Sequence, residues 1–245
     1  ILVGVSMITL LGEENALAAN GTFLYMINHS IVKLVLFLCA GAIYLGAHTL
    51  DLNKLKGYGR NKPLIMIPFF IGACSLAGIP GFTGYLSKTL VHEAVVEYAR
   101  RYAKLARELA QKEKCQIRKA ELEKIATTCL RVPEFPATSF YEACQSFWFV
   151  QLLLQMESSG HSISPGRFDQ YMYPAYQKTE NKEEIIDLLD RLWDYFRDHR
   201  SWNLCISGSD ENWNDESNEL TYDILAMVRK KGYNTPNLTC RVHRN

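Results

Sequence analysis

Apolar positions run almost unbroken through the first part of the chain and fall into stripes thereafter. From Asn15 to Leu50 the only formal charge is Lys33, and from Pro63 to Ser87 there is none. A bilayer crossing needs about 20 mostly apolar residues, so each stretch predicts a spanning helix. Residues 1–12 predict the tail of a third, and buried helices of a large soluble core are the alternative. Pro63, Pro68 and Pro80 with Gly72, Gly78, Gly81 and Gly84 punctuate the later stretch. Spanning helices tolerate such breakers where neighbouring protein satisfies the backbone. From Glu93 the pattern changes. Val95, Tyr98, Tyr102, Leu105 and Leu109 recur every three or four residues in a charged background, predicting one amphipathic helix to about Cys129. VPEFPATS ends it, with Thr138 or Ser139 available to cap the next helix. Phe140 to Glu157 is apolar nearly all round and predicts a buried helix. SSGHSISPGRFDQYMYPAY reads as a loop and residues 181–199 as a charged helix. Two short β-rich runs, NLCISGS and NLTCRVH, flank a helix predicted at about 217–231.

Charge sharpens this division. The chain has 245 residues, 22% of them charged, and a net charge of +1. Residues 1–91 carry 9 charged side chains and residues 92–245 carry 44, too steep a step for one evenly built globular domain. Between the first two apolar stretches lies DLNKLKGYGRNK, whose Lys54, Lys56, Arg60 and Lys62 place that loop on the cytoplasmic side by the positive-inside rule. The near-zero net charge, with no basic cluster interleaved with aromatics, argues against nucleic acid as a partner. Seven scattered cysteines, with no Cys-x-x-Cys or Cys/His ligand spacing, argue against a disulfide framework and against zinc. They fit reduced thiols in a cytoplasmic or membrane setting. The opening ILVGVSMITLLG lacks the features of a secretory signal and reads as the middle of something longer.

Two places carry candidate chemistry. Lys33 lies within an apolar stretch, and His29 precedes it by four residues on the same helix face. An intramembrane lysine is a functional-site hypothesis by default, and the pair has the chemistry of a proton relay. A lysine snorkelling from a span that begins near residue 30 is the equal alternative. Further on, Gly160, His161, Ser162 and Ser164 set an imidazole and hydroxyls beside a flexible glycine. Arg167 and Asp169, two apart, are placed to hold that loop through a charge-assisted hydrogen bond. A lone His-Ser pair also serves as a structural contact. A serine hydrolase is disfavoured, because no G-x-S-x-G elbow is present.

The first ninety-odd residues resemble a known family through MINHSIVKLVLFLCAGAIY, HTLDLNKLKGYGRNKP and SLAGIPGFTGYLSKTLVHEAVVE. In that order these are similar to the antiporter-like membrane subunits of respiratory complex I, Mrp-type sodium/proton antiporters and membrane-bound hydrogenases. The resemblance implies a proton-relay position for Lys33, with His29 beside it, and other membrane subunits as partners. It covers two or three helices of a family with about fourteen. Lys88 matches the family's S-K ending without an evident role.

The remainder resembles the amino-terminal half of glycyl radical enzymes, a group that includes pyruvate formate-lyase, diol dehydratases and choline lyases. YARRYAKLARELAQKE, RVPEFPATSFYEACQSFWFVQLLLQMESSGHSISPGRFDQYMYPAY and NDESNELTY carry it. By resemblance His161 and Ser162 line the pocket of a small polar substrate, while Arg167 and Asp169 belong to a structural loop. In the full-length family a radical-SAM activating enzyme installs a glycyl radical, which passes to a cysteine. Neither that cysteine nor that glycine is matched here, so no catalytic residue is assigned and no cofactor or metal is expected to bind this chain directly. The segment from Tyr176 to Asn203 is shorter than the lyases imply, and ISGSD replaces a more usual glycine pair.

The expected fold is therefore mostly α: N-terminal transmembrane helices, then an α-rich fragment of the glycyl-radical-enzyme α/β barrel with a few short strands. Residues 1–95 are expected to form a partial antiporter-like domain in the inner membrane. Residues 96–245 are expected to form a partial pyruvate formate-lyase-like domain in the cytoplasm. No Gly/Ser/Pro linker separates them, which reads as a chimeric chain. Its expected function is that of a glycyl radical lyase or dehydratase fragment, inactive alone. Proton or sodium translocation is the alternative.

Overall fold

A computed structural model describes residues 2–12, 16–158, 163–198 and 203–241, with the side chains at 2, 9 and 156–158 outside the description. The chain divides into two compact units, Val3–Ala94 and the residues from Val95 onward.

The first unit holds helices α1 (Leu2–Leu11), α2 (Ala16–Ala47), α3 (Pro63–Ala77) and the start of α4 (Thr83–Lys112). At 32 residues, α2 is long and apolar enough to cross a membrane. Phe23, Leu34, Phe37 and Leu45 along it are exposed. The apolar run from 63 to 87 is not one span, contrary to expectation. α3 has 15 residues, about 22 Å at helical rise, against about 30 Å of hydrocarbon. Gly78 stops it by taking the left-handed conformation at φ 77° and donating back to Cys74 and Ser75, the usual device of a helix C-terminus. The chain then turns through Pro80 and enters α4. Gly84 lets α4 begin directly against α3, since a Cβ there would lie 1.9 Å from the Ser75 carbonyl oxygen.

The second unit contains the rest of α4, then α5 (Gln116–Arg131), α6 (Phe140–Ser158), α7 (Phe168–Gln177) and α8 (Lys182–Asp198). β1 (Asn203–Ser207), α9 (Glu219–Lys231) and β2 (Asn237–Arg241) follow. β1 and β2 pair in parallel, Asn203 opposite Asn237 and Ser207 opposite Arg241, with α9 as the crossover that parallel strands require. Among the described residues the few short strands form one two-stranded parallel sheet. The core gathers Phe140 from α6, Phe168 and Met172 from α7, Trp193 and Phe196 from α8, and Leu204 and Ile206 from β1. α8 illustrates the cause: Ile185, Leu189, Leu192, Trp193 and Phe196 are its buried residues, spaced as one helical face.

Two further expectations are corrected. The single amphipathic helix to Cys129 is broken at 113–115, where the Glu113 carboxylate accepts the Lys114 and Cys115 amides at 2.8 and 2.9 Å. A side chain that bonds local amides competes with the helical ladder. The stretch read as loop contains α7 from Phe168 onward, because Phe168, Met172, Ala175 and Tyr176 bury one face of it.

Ser139 caps α6 by accepting the Glu142 amide at 3.2 Å. Glu142 in turn accepts the Thr138 amide at 2.7 Å, the Thr138 hydroxyl at 2.8 Å and Arg131 Nε at 3.1 Å. Burial alone would push its carboxyl upward, but the Thr138 and Arg131 donors outweigh that and hold it below its ordinary 4.5. A depressed carboxylate contributes stability that is present above the unfolded pKa and lost as pH falls through the folded one. Glu142→Gln is therefore expected to be less stable at neutral pH and flatter from there to below 4.5. Urea midpoints across that range test it, and parallel acid profiles for the two chains would refute it.

Candidate functional site

In the second unit the chain passes from 163 into α7 through a corner clamped to β1. Gly166, at φ 72°, offers its carbonyl to the Cys205 amide at 2.8 Å and the Phe168 amide at 3.0 Å. Arg167 and Asp169 do not bond one another. Both reach Ser207, Arg167 at its carbonyl and Asp169 at its amide. Arg167 Nε donates to the Ser207 carbonyl at 2.9 Å, and Nη2 meets Glu216 Oε2 at 2.6 Å. Asp169 is fully buried, and its Oδ2 accepts the Ser207 amide at 2.7 Å and the Thr221 hydroxyl at 2.5 Å. Asn218 caps α9 reciprocally with Thr221 and also donates to the Asp169 carbonyl at 3.3 Å. Asp169 Oδ1 is buried with no hydrogen-bond partner, an arrangement native structures rarely leave without a reason.

Ser207 itself has φ 57° and Gly208 φ 120°. The left-handed region favours glycine, so the serine of ISGSD holds a conformation that a glycine pair would adopt more easily. The Ser207 hydroxyl donates to the Arg241 carbonyl at 2.5 Å, tying the bend to the end of β2. His161 and Ser162, the expected substrate-pocket residues, lie outside the described residues. Among the cysteines, burial pushes Cys129 up to about 11 and Cys144 up to about 12, so neither offers a thiolate near neutrality.

In the first unit, Lys33 is exposed on α2, beside a cavity walled by Leu36, Phe37, Phe69 and Leu76. His29 is half-buried, stacked on Tyr25 with ring centroids 5.7 Å apart, and its Nδ1 is buried without a partner. No hydrogen bond joins His29 to Lys33 among the described residues. Sequence reasoning passed over the polar cluster next to them. Asn28 Oδ1 accepts from the Ser75 hydroxyl at 3.2 Å and from the Thr83 hydroxyl, linking α2 to the α3–α4 turn. Lys88, left without a role by its motif, donates from Nζ to the Leu76 carbonyl at 2.7 Å. It satisfies an orphan carbonyl at the negative end of the α3 dipole.

The sequence pattern described as pyruvate formate lyase-like matches residues 82–245, more than half of the chain. The chain belongs to the pyruvate formate lyase-like family. Beside that family, residues 2–107 match the pattern described as NADH:quinone oxidoreductase/Mrp antiporter, TM. The two matches share residues 82–107, which lie almost wholly in α4. Among pyruvate formate lyase-like relatives, the isethionate sulfite-lyase of Desulfovibrio desulfuricans is 35% identical over 177 residues, covering 63% of this chain and 21% of that protein. A solved structure described as 1,2-propanediol dehydration in Roseburia inulinivorans is 35% identical with a TM-score of 0.58, covering 86% of this chain and 26% of that one. On the membrane side, an Na(+)/H(+) antiporter subunit from Alkalihalophilus pseudofirmus is 44% identical over 82 residues, 34% of this chain and 17% of that protein. The chain spans about a fifth of the length of the curated relatives it matches.

Proposed function

We propose that residues 96–245 form part of the pocket wall of a glycyl radical lyase or dehydratase acting on a small polar substrate. Residues 1–95 add a partial proton-translocating membrane domain to it. The observation that carries this reading is the family match across residues 82–245 together with the double grip of Arg167 and Asp169 on Ser207. That grip holds the corner that follows His161 and Ser162 in the chain. Those two residues supply neutral donors and acceptors that orient a hydroxylated or sulfonated substrate. The glycyl radical, installed by a radical-SAM activase, and the cysteine that receives it have no counterpart among these residues. The chain is therefore inactive alone and holds no cofactor directly. On this reading residues 1–95 belong to the inner membrane and residues 96–245 to the cytoplasm.

Saturation-transfer NMR of the whole chain with isethionate, 1,2-propanediol and glycerol tests the pocket. Transfer to at least one of them is expected, and its loss in His161→Ala and in Ser162→Ala. Equal transfer to both variants would sink the assignment. An organic radical signal and product after anaerobic incubation with activase would overturn the proposed inactivity.

A second reading, proton or sodium translocation within a larger membrane assembly, is favoured by the likeness to the Alkalihalophilus antiporter protein over the segment that includes α2. In reconstituted vesicles Lys33→Ala is expected to abolish ion uptake and Lys33→Arg to retain part of it, because only the latter keeps a cation. Indifference to both substitutions would count against a relay.

A further inference from the structure

The loop between α2 and α3 carries a charge pattern that neither function uses. Lys54, Lys56 and Arg60 are exposed, and none of them forms an ion pair or side-chain hydrogen bond among the described residues. The one acid nearby, Asp51, is occupied with the loop's own turn: its Oδ1 accepts the Asn53 amide at 3.0 Å, and its carbonyl accepts the Lys54 amide at 3.0 Å. Lys62 is different. Its Nζ lies 2.5 Å from the Tyr58 hydroxyl and 3.9 Å from the ring centroid, so it braces the 3₁₀ turn Tyr58–Asn61 from inside.

Three apolar side chains accompany the free cations. Leu50, Leu52 and Leu64 are 76%, 81% and 90% exposed. Such leucines beside lysines are costly against bulk water and favourable at a bilayer boundary, where leucine enters the acyl region and the cation stays with the headgroups. The loop also starts just past Ala47, where the candidate span α2 ends, so its place in the chain puts it at such a boundary.

We propose that residues 50–64 form a docking surface for anionic phospholipid, with Leu50, Leu52 and Leu64 inserted and Lys54, Lys56 and Arg60 against headgroup phosphates. This rests on the membrane reading of α2. Each surface cation near an anionic leaflet adds to binding, and the attraction weakens as salt shortens the screening length. Lys62 takes no part, since Tyr58 already engages it.

The test uses the full chain in vesicles of mixed phosphatidylcholine and phosphatidylglycerol. The photoreactive amino acid benzoylphenylalanine is placed at Leu52 in one sample and at Phe37 in another, and captured lipids are identified by mass spectrometry. From Leu52, phosphatidylglycerol is expected in excess of its share of the bilayer. That excess is expected to vanish in K54Q/K56Q/R60Q and at high salt, and to persist in Lys62→Gln. From Phe37, 72% exposed on α2, both lipids are expected in proportion to their abundance. Capture from Leu52 at the bulk ratio, with Phe37 still labelling lipid, would overturn the loop proposal alone. No lipid captured from Phe37 would overturn the membrane reading and the loop proposal with it.

Discussion

Asp169→Ala is expected to destabilise the second unit by about 3–5 kcal/mol, from two lost hydrogen bonds to a charged acceptor and the buried partners they leave. Asp169 is fully buried, and one of its oxygens holds both the Ser207 amide and the Thr221 hydroxyl. Alanine would strand the strand-end amide of Ser207 and leave the Thr221 hydroxyl to donate only through its longer 3.3 Å bond to Asn218 Oδ1. Asparagine separates geometry from charge. Asp169→Asn retains one acceptor oxygen where both donors converge and places an amide nitrogen where Oδ1 now has no partner. It should lose only about 1 kcal/mol, the difference between a charged and a neutral acceptor. Urea unfolding of the full chain, with hydrogen exchange at the Ser207 amide, reports both. Equal losses for alanine and asparagine would show that the carboxylate's bonds do not matter in the way described.

Phe168→Ala carries the other large effect, about 3–5 kcal/mol for removing a fully buried aromatic side chain. Its ring lies between Phe147 at 5.3 Å, Tyr171 at 5.7 Å, and Trp193 and Phe196 each at 6.3 Å. These edge-to-face neighbours belong to α6, α7 and α8, so one truncation opens a space that three helices share. Phe168→Leu refills most of that space and should lose under about 2 kcal/mol. The midpoint of urea unfolding should fall without a change of slope. A loss under about 1 kcal/mol for alanine would mean the cluster collapses onto the gap. Because Phe168 and Asp169 are adjacent, their losses are not expected to add.

Sequence periodicity was informative where one face of an element is apolar and its ends are chemically marked. α6 begins at the residue after Ser139, the cap that VPEFPATS offered, and α8, α9 and both strands fall within a few residues of their predicted places. Local chemistry misled twice. Gly160, Pro165, Gly166 and Pro174 made the stretch to Tyr176 look like a loop, yet Phe168, Met172 and Tyr176 are spaced for a helix. A charge-free run from Pro63 to Ser87 looked like one span although Gly78 ends a helix inside it. The site was less legible than the fold. Arg167 and Asp169 stood out, but their shared target Ser207 is about forty residues away and Thr221 further still, and no local pattern marks such partners. Lys88 was conspicuous by motif, and only the fold shows it meeting the last turn of α3.

The parallel pairing of β1 with β2 also bears on the order in which the clamp can assemble. α6 and α8 close their own hydrogen bonds between near neighbours, whereas Asn203 meets Asn237 only after the whole intervening crossover has been gathered in. Loop-closure entropy has to be met before such distant pairing returns anything. Ser207 is oriented by that pairing, through its hydroxyl on Arg241, and Arg167 and Asp169 both depend on Ser207. The corner between Gly166 and Asp169 is thus tied to the slowest kind of contact in its unit, so changes near β2 should delay its maturation more than equal changes within α6.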